Sequence, residues 1–412
     1  MKIIHVYDGH ERVFPGQGSS PYIVYNIAKY TAEKGHDVTV LERRWEGLEY
    51  REEIEGIKFE RIDLHFCSHT SREDLPQDLI KSPTGLLRLI LDRTEFALKS
   101  LRYLKKNNFD AILVHLPFAA FILVTLSRKL RKKMIYGEFI GETKIRLKLG
   151  NAKDIPLLFK LFSPDLYLLK RVRKAVMQNE GVLLELVASA KIDPEKATAI
   201  SLGVDTSVFN PNIDAGNIKG KYGLKDKTIV LFVSTIIPRK GVEYLVRAAN
   251  IVVNQMGCKD VLFLLKGRVP EKEYLKIIQT LIEDYKLRDN VILMLEYIPY
   301  EDVKKLYIAS DIYVLPSLEE PCPTSLLEPL ACGKALVGTN VGGIVTMIKN
   351  GWNGFLVEPA NEEQLAEKIK YLLDHPEKWG EMGRNSRKFA VEEFDWNKIA
   401  ERYLEVYKEV MR

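Results

Sequence analysis

Residues 309–343, ASDIYVLPSLEEPCPTSLLEPLACGKALVGTNVGG, limit what this chain can fold into more than any other stretch. Positions 311–315 are mostly β-branched, aromatic or aliphatic and read as a buried strand, which Pro316 and Ser317 stop. The run SLLEPLAC then reads as a helix, capped by Thr324 or Ser325 and ended by Gly333. Residues 334–339 read as a second apolar strand, closed by the pair Gly342 and Gly343. Strand, loop, helix and strand in this order make an α/β unit, and such units bind ligands at the carboxyl ends of their strands.

The loop is expected to carry Glu319 and Glu320 outward, with Glu328 about one turn into the helix and facing the same crevice. The helix N-terminus between them offers N–H groups suited to a diphosphate. Carboxylates beside it can accept hydrogen bonds from sugar or ribose hydroxyls. An arbitrary pair of glutamates is more often merely solvated, so the surrounding run has to decide. That run resembles the signature of the retaining nucleotide-sugar glycosyltransferases of family 4 (glycosyl transferases group 1), including its Glu-x7-Glu motif. In that family the first glutamate contacts the donor sugar and the second the nucleotide ribose, which implies those roles for Glu320 and Glu328. Pro323 departs from the pattern, because many members place there a glycine whose amide helps hold phosphate. Proline has no N–H, so the contact would fall to Thr324 and Ser325.

At 412 residues the chain is too long for one ordinary core, and two domains are expected. A composition 46% hydrophobic and 28% charged is that of a soluble globular protein. The opening MKIIHVYDG is too short and strand-like for a signal peptide, and the apolar run 111–126 is broken by His115 and Pro117. Cys67, Cys258, Cys322 and Cys332 lack metal-ligand spacing, which points to neither zinc nor a disulfide framework and to a reduced, cytoplasmic protein.

Along the chain, residues 2–7 read as a first strand, followed by a glycine-bearing loop, a helix over about 21–33 and a second strand at 37–41. This βαβ start implies a parallel sheet. Gly16, Gln17 and Gly18 begin like a dinucleotide fingerprint, but Pro21 stands where the third glycine belongs. The loop fits equally an ordinary turn or a backbone approach to a ligand; the family resemblance, extended by GHDVTV, places it beneath the donor. Residues 57–62 read as the third strand, 86–106 as a helix, and 110 onward as a buried strand with His115 at its carboxyl end. A packed core histidine and a ligand-binding one fit that place equally well. By resemblance, His115 would hydrogen-bond the transferred sugar. Glu138 stands near the end of the next strand, where many members carry a histidine, and either faces the acceptor or caps a helix.

Between positions 81 and 180 there are 21 Lys and Arg against 8 Asp and Glu, although the whole chain carries only +5. Most of this surplus lies in RKLRKK, KIRLKLG and LKRVRK, with Phe159, Phe162 and Tyr167 among them. Solvated helix faces, a surface for anionic lipid head groups at the inner face of a membrane, and nucleic acid are the three readings. Nucleic acid is the weakest, because no recognised module accompanies the charge.

The segment SLGVDTSVFNPN resembles the joint between the two family domains. The second half restarts with a strand at 228–234, and its carboxyl end delivers Arg239 and Lys240 in the run RKG. An arginine fork beside a lysine point charge can neutralise a diphosphate; in the family these two bind the donor pyrophosphate. Gly267 and Arg268 follow the next strand, and backbone near Tyr297 would contact the base. The tail after 391 is amphipathic.

The resemblance covers nearly the whole chain and implies the GT-B arrangement, two Rossmann-like domains facing across a cleft. The expected division is 1–205 for an acceptor-side domain, 206–390 for a nucleotide-sugar domain, and 391–412 for a helix crossing back to the first. The implied reaction moves a hexose, with retention, from a nucleotide diphosphate sugar to the hydroxyl of a sugar or lipid-linked acceptor. No metal or other cofactor is expected, since no DxD pair is present and the family works without one. A nucleotide-sugar epimerase and a non-catalytic nucleotide-sugar-binding protein are the alternatives.

Overall fold

The computed structural model describes residues 1–14, 19–67, 79, 81–137, 164–190, 192–224 and 227–412. The chain forms two compact units, one of residues 1–202 with 396–412 and the other of residues 203–395.

Among the described residues of the first unit eight strands run along the chain as β1 (Lys2–Val6), β2 (Asp37–Arg43), β3 (Arg51–Ile54), β4 (Ile57–Ile62), β5 (Ala111–Val114), β6 (Met134–Gly137), β7 (Lys174–Met177) and β8 (Ala197–Ala199). They lie in the order β3-β4-β2-β1-β5-β6-β7-β8. All neighbours are parallel except β3 and β4. The hairpin joining that pair is absent from the sequence expectation, which has one strand here. Its turn is Glu55-Gly56, both at positive φ, and glutamate is not a residue that announces such a turn. Central strands β1 and β5 are buried on both faces, as parallel strands covered by helices require.

Helix α1 (Ser19–Glu33) begins just before Pro21, and α2 (Pro83–Lys106) is capped by the Ser82 hydroxyl, which accepts from the Gly85 amide. The apolar run at 111–126 is β5 followed by α3 (Pro117–Leu126). The C-terminal helix Trp396–Met411 is part of this unit: Trp396 lies against Tyr22 and Tyr30 of α1, and Lys34 pairs with Glu401 at 3.0 Å.

The second unit has β9 (Thr228–Val233), β10 (Val261–Lys266), β11 (Val291–Met294), β12 (Ile312–Leu315), β13 (Ala335–Thr339) and β14 (Gly354–Val357). Their order is β11-β10-β9-β12-β13-β14, and every pair is parallel. Strand order therefore reverses between β9 and β12, and in the first unit between β1 and β5. In open α/β sheets such a reversal leaves a crevice at the carboxyl ends of the two strands.

Candidate active site

At the second reversal, β9 leads to Arg239 and Lys240 and β12 leads to Glu320. Lys240 closes a single 3-10 turn, Pro238–Lys240, before Gly241 opens α4 (Val242–Asn250). Gly241 has φ +66°, and a Cβ there would lie 2.0 Å from the Pro316 carbonyl oxygen. Only glycine permits both the left-handed backbone and the approach of the two strand-end loops. The Leu318 amide then donates to the Arg239 carbonyl at 2.8 Å, and the loops are stitched together.

This packing overturns one expectation. Glu320 does not point outward; it is 5% exposed, because the loop folds back over the end of β9. Its carboxylate pairs with the Lys240 ammonium, lies 3.6 Å from Arg239 Nη1, and accepts from Ser317 Oγ at 3.4 Å. Its carbonyl accepts from the Gly343 amide at 2.8 Å. Gly342, at φ +48°, leaves no room for a side chain against that same carbonyl. Lys240 is buried, which lowers its pKa with help from the Arg239 charge, while the Glu320 carboxylate opposes the shift. Arg239 keeps 41% of its side chain exposed and donates from Nη1 to the Glu319 carbonyl at 2.8 Å. Two cations against one carboxylate leave this strand end net positive.

Helices α5 (Tyr300–Ala309) and α6 (Thr324–Ala331) hold the second glutamate. Glu328 is half-buried and accepts from Tyr307 at 2.6 Å and Tyr300 at 3.2 Å. Burial raises its pKa and the two hydroxyls oppose that rise. Neither Thr324 nor Ser325 caps α6, contrary to expectation: the cap position is Pro323, with no side-chain hydrogen bond. Thr324 and Ser325 both sit in the first turn of α6, where amides lack intrahelical acceptors. Gly267 is buried after β10, Arg268 is exposed beside it, and Tyr297 is 91% exposed.

In the first unit His115 follows β5 and is only 2% exposed. Its Nε2 lies 3.1 Å from Nδ1 of His5 on β1, and His5 Nε2 lies 3.3 Å from the Tyr407 hydroxyl of the C-terminal helix. Burial pulls the His5 pKa down to about 3 and lowers that of His115 well below its usual value, so both rings are neutral at neutral pH. Gly16, Gln17, Gly18 and Glu138 lie outside the described residues.

Sequence reasoning missed Ser317, Tyr300, Tyr307, His5 and Tyr407. Ser317 stands in the run that carries the resemblance and meets Glu320 three positions on, while each of the other four takes its place through a partner distant in the chain. It also missed a buried cluster in which the Arg43 guanidinium forms two bonds to the Asp92 carboxylate and lies 3.3 Å from His10 Nε2. His10, Cys67 and Asp92 could together face a metal ion, but the guanidinium already supplies the positive charge there.

Family profiles match both parts of the chain, Glycosyltransferase Family 4 over residues 22–208 and Glycosyl transferases group 1 over residues 214–389. An alpha-maltose-1-phosphate synthase of Mycolicibacterium smegmatis is 31% identical over 53% of this chain, which spans only 58% of that relative. The uncharacterized glycosyltransferase MJ1607 of Methanocaldococcus jannaschii is 27% identical over 93% of each chain. Among solved structures, Anabaena Alr3699/HepE in complex with UDP and glucose superposes with a TM-score of 0.71, at 18% identity, over 99% of both chains. Two Rossmann-like units of this kind define a glycosyltransferase of the GT-B fold. The chain belongs to the glycosyltransferases of the family 4, group 1 type.

Proposed function

We propose that this glycosyltransferase is a retaining hexosyltransferase that draws on a nucleotide diphosphate sugar and needs no metal. The observation that carries the reading is the meeting of Arg239, Lys240 and Glu320 at the strand-order reversal of the second unit. A diphosphate leaving group accumulates negative charge as its bond to the sugar breaks, and fixed cations stabilise that charge without a metal. Lys240 is aimed by Glu320, and Arg239 presents its exposed fork to the phosphates. The amides at the start of α6 add donors for the same group. Glu320 is assigned to the donor sugar. Glu328, oriented by Tyr300 and Tyr307, is assigned to the ribose, whose hydroxyls it would accept from.

The first unit is assigned to the acceptor side, with His115 on a sugar hydroxyl and Glu138 near the acceptor. In the transfer itself the bond from the anomeric carbon to the phosphate oxygen breaks. The acceptor oxygen bonds that carbon from the same face, and the acceptor proton passes to the departing phosphate oxygen. The UDP and glucose bound by the Anabaena neighbour support trying UDP-hexoses first.

The test is release of nucleotide diphosphate across a panel of UDP-, ADP- and GDP-sugars, with and without candidate acceptors and with a chelator present. Arg239→Ala is expected to lower turnover by about 10²-fold or more while leaving the folded state intact, since the side chain is half exposed. Near-normal turnover in that variant would remove the diphosphate assignment. Release that needs no acceptor would favour a hydrolase, conversion of one nucleotide sugar into another without net release would favour an epimerase, and loss of rate with chelator would restore a metal.

A further inference from the structure

Helix α2 carries an unusual outer face. Leu86, Leu87, Ile90, Leu91 and Leu98 are all exposed, from 38% at Leu91 and Leu98 to 57% at Leu87. Residues 87, 91 and 98 share one line along the helix, since steps of four and seven return to the same side. That line continues into Arg102 and Lys105, with Lys106 beside it and Arg88 flanking the apolar half; all four are exposed. The opposite face is ordinary core, where Phe96, Ala97, Leu101 and Leu104 are buried. Of the acidic residues of α2, Asp92 is buried against Arg43, and Glu95, which stands beside the line of Leu91 and Arg102, is paired with Lys99 and His65. An outer face with an apolar front half, a basic rear half and its Glu95 carboxylate already paired has one natural complement.

We propose that the outer face of α2 docks this protein on an anionic lipid surface, the leucines entering the boundary of the acyl chains and the basic half lying among the head groups. An amphipathic helix of this composition lies in the plane of the interface, held by buried apolar area together with attraction to anionic lipid. A second copy of the chain fits less well. Packing α2 on itself would bring basic residues against leucines or against each other, and the carboxylates of each helix, Asp92 and Glu95, are already paired within their own unit. The docking surface differs from the one the basic runs pointed to. Arg131 Nε donates to the Val124 carbonyl at 2.7 Å and Lys133 to that of Phe109, so part of that charge is engaged in the fold.

The experiment is sedimentation of the full chain with phosphatidylcholine vesicles, and with vesicles that also contain phosphatidylglycerol. The unaltered protein should pellet with the second and not the first, and added salt should release it. Two variants test the two halves of the face, Leu87→Glu with Leu91→Glu, and Arg102→Glu with Lys105→Glu. Each should lower partition onto anionic vesicles by at least about tenfold, with an unchanged thermal melt because the replaced side chains are exposed. No binding by the unaltered chain, or undiminished binding by the charge variant, would overturn the proposal. So would a dimer in sedimentation velocity that the leucine variant dissociates, which would make a second copy the occupant. Loss of vesicle binding with nucleotide release intact separates this surface from the proposed chemistry.

Discussion

In the first unit the place where strand order reverses, between β1 and β5, is lined by His5 and His115, with Tyr407 closing the line from the C-terminal helix. In the second, the equivalent place between β9 and β12 is lined by Arg239, Lys240 and Glu320. The first set is uncharged at neutral pH and held by short contacts between buried rings. The second keeps two cations on one carboxylate. Burial acts on each in a different way. Neutral rings lose only hydrogen bonds with water, which their neighbours replace, whereas buried charges need a partner close by or they cost several kcal/mol. A surplus of cation at the second place is therefore stable only because Glu320 is folded inward, and it leaves positive charge for a phosphorylated ligand.

That contrast can be broken most forcefully at Lys240. Lys240→Met would leave the Glu320 carboxylate buried without its nearest cation and should destabilise the second unit by about 3–5 kcal/mol. Denaturant unfolding, with hydrogen exchange in β12 and β13 to localise the loss, would read this. An unchanged stability would mean that Glu320 turns to water once the ammonium is gone.

Acid should act in the opposite unit. His5 and His115 have pKa values lowered in the fold, so below about pH 6.5 the unfolded chain takes up protons that the folded chain refuses. Stability of the first unit is thus full above that pH and is lost as pH falls toward 3. At about pH 5.5 two such histidines cost roughly 2–3 kcal/mol. His5→Asn should flatten the decline measured by urea midpoints, and an equal decline in both units would erase the distinction.

The smallest effect is expected at Tyr407→Phe, which removes one hydroxyl from the histidine line at a cost of about 0.5–1.5 kcal/mol. If the line orients His115 for a substrate, kcat should fall while donor KM holds. Equal changes in both would mean that Tyr407 serves only packing.

Much of the fold was legible because its local rules are strong. Strand β4 falls where the run 57–62 placed it, and the run 111–126 divides at Pro117 into strand and helix, since proline suits the first turn of a helix. The hairpin at Glu55-Gly56 was not legible, because its positive φ values sit on a residue that rarely adopts them. At the site, Arg239, Lys240, Glu320 and Glu328 could be named from motifs and their spacing. What held them could not. Tyr307 reads as one more apolar residue of a helix until it is seen to donate to Glu328.

By itself the sequence determined the alternation of strands and helices, the glycines that let two loops touch, and the charged residue types at the strand ends. These depend on neighbours a few positions away. Only the tertiary structure decided that Lys240 meets Glu320 across 80 positions, and that His5 meets His115 across 110. It also turned Glu320 inward and left the leucines of α2 outward. Strand order fixes such meetings, and strand order is settled by the packing of the whole sheet, where hydrophobic burial and the need to pair every buried charge are satisfied together.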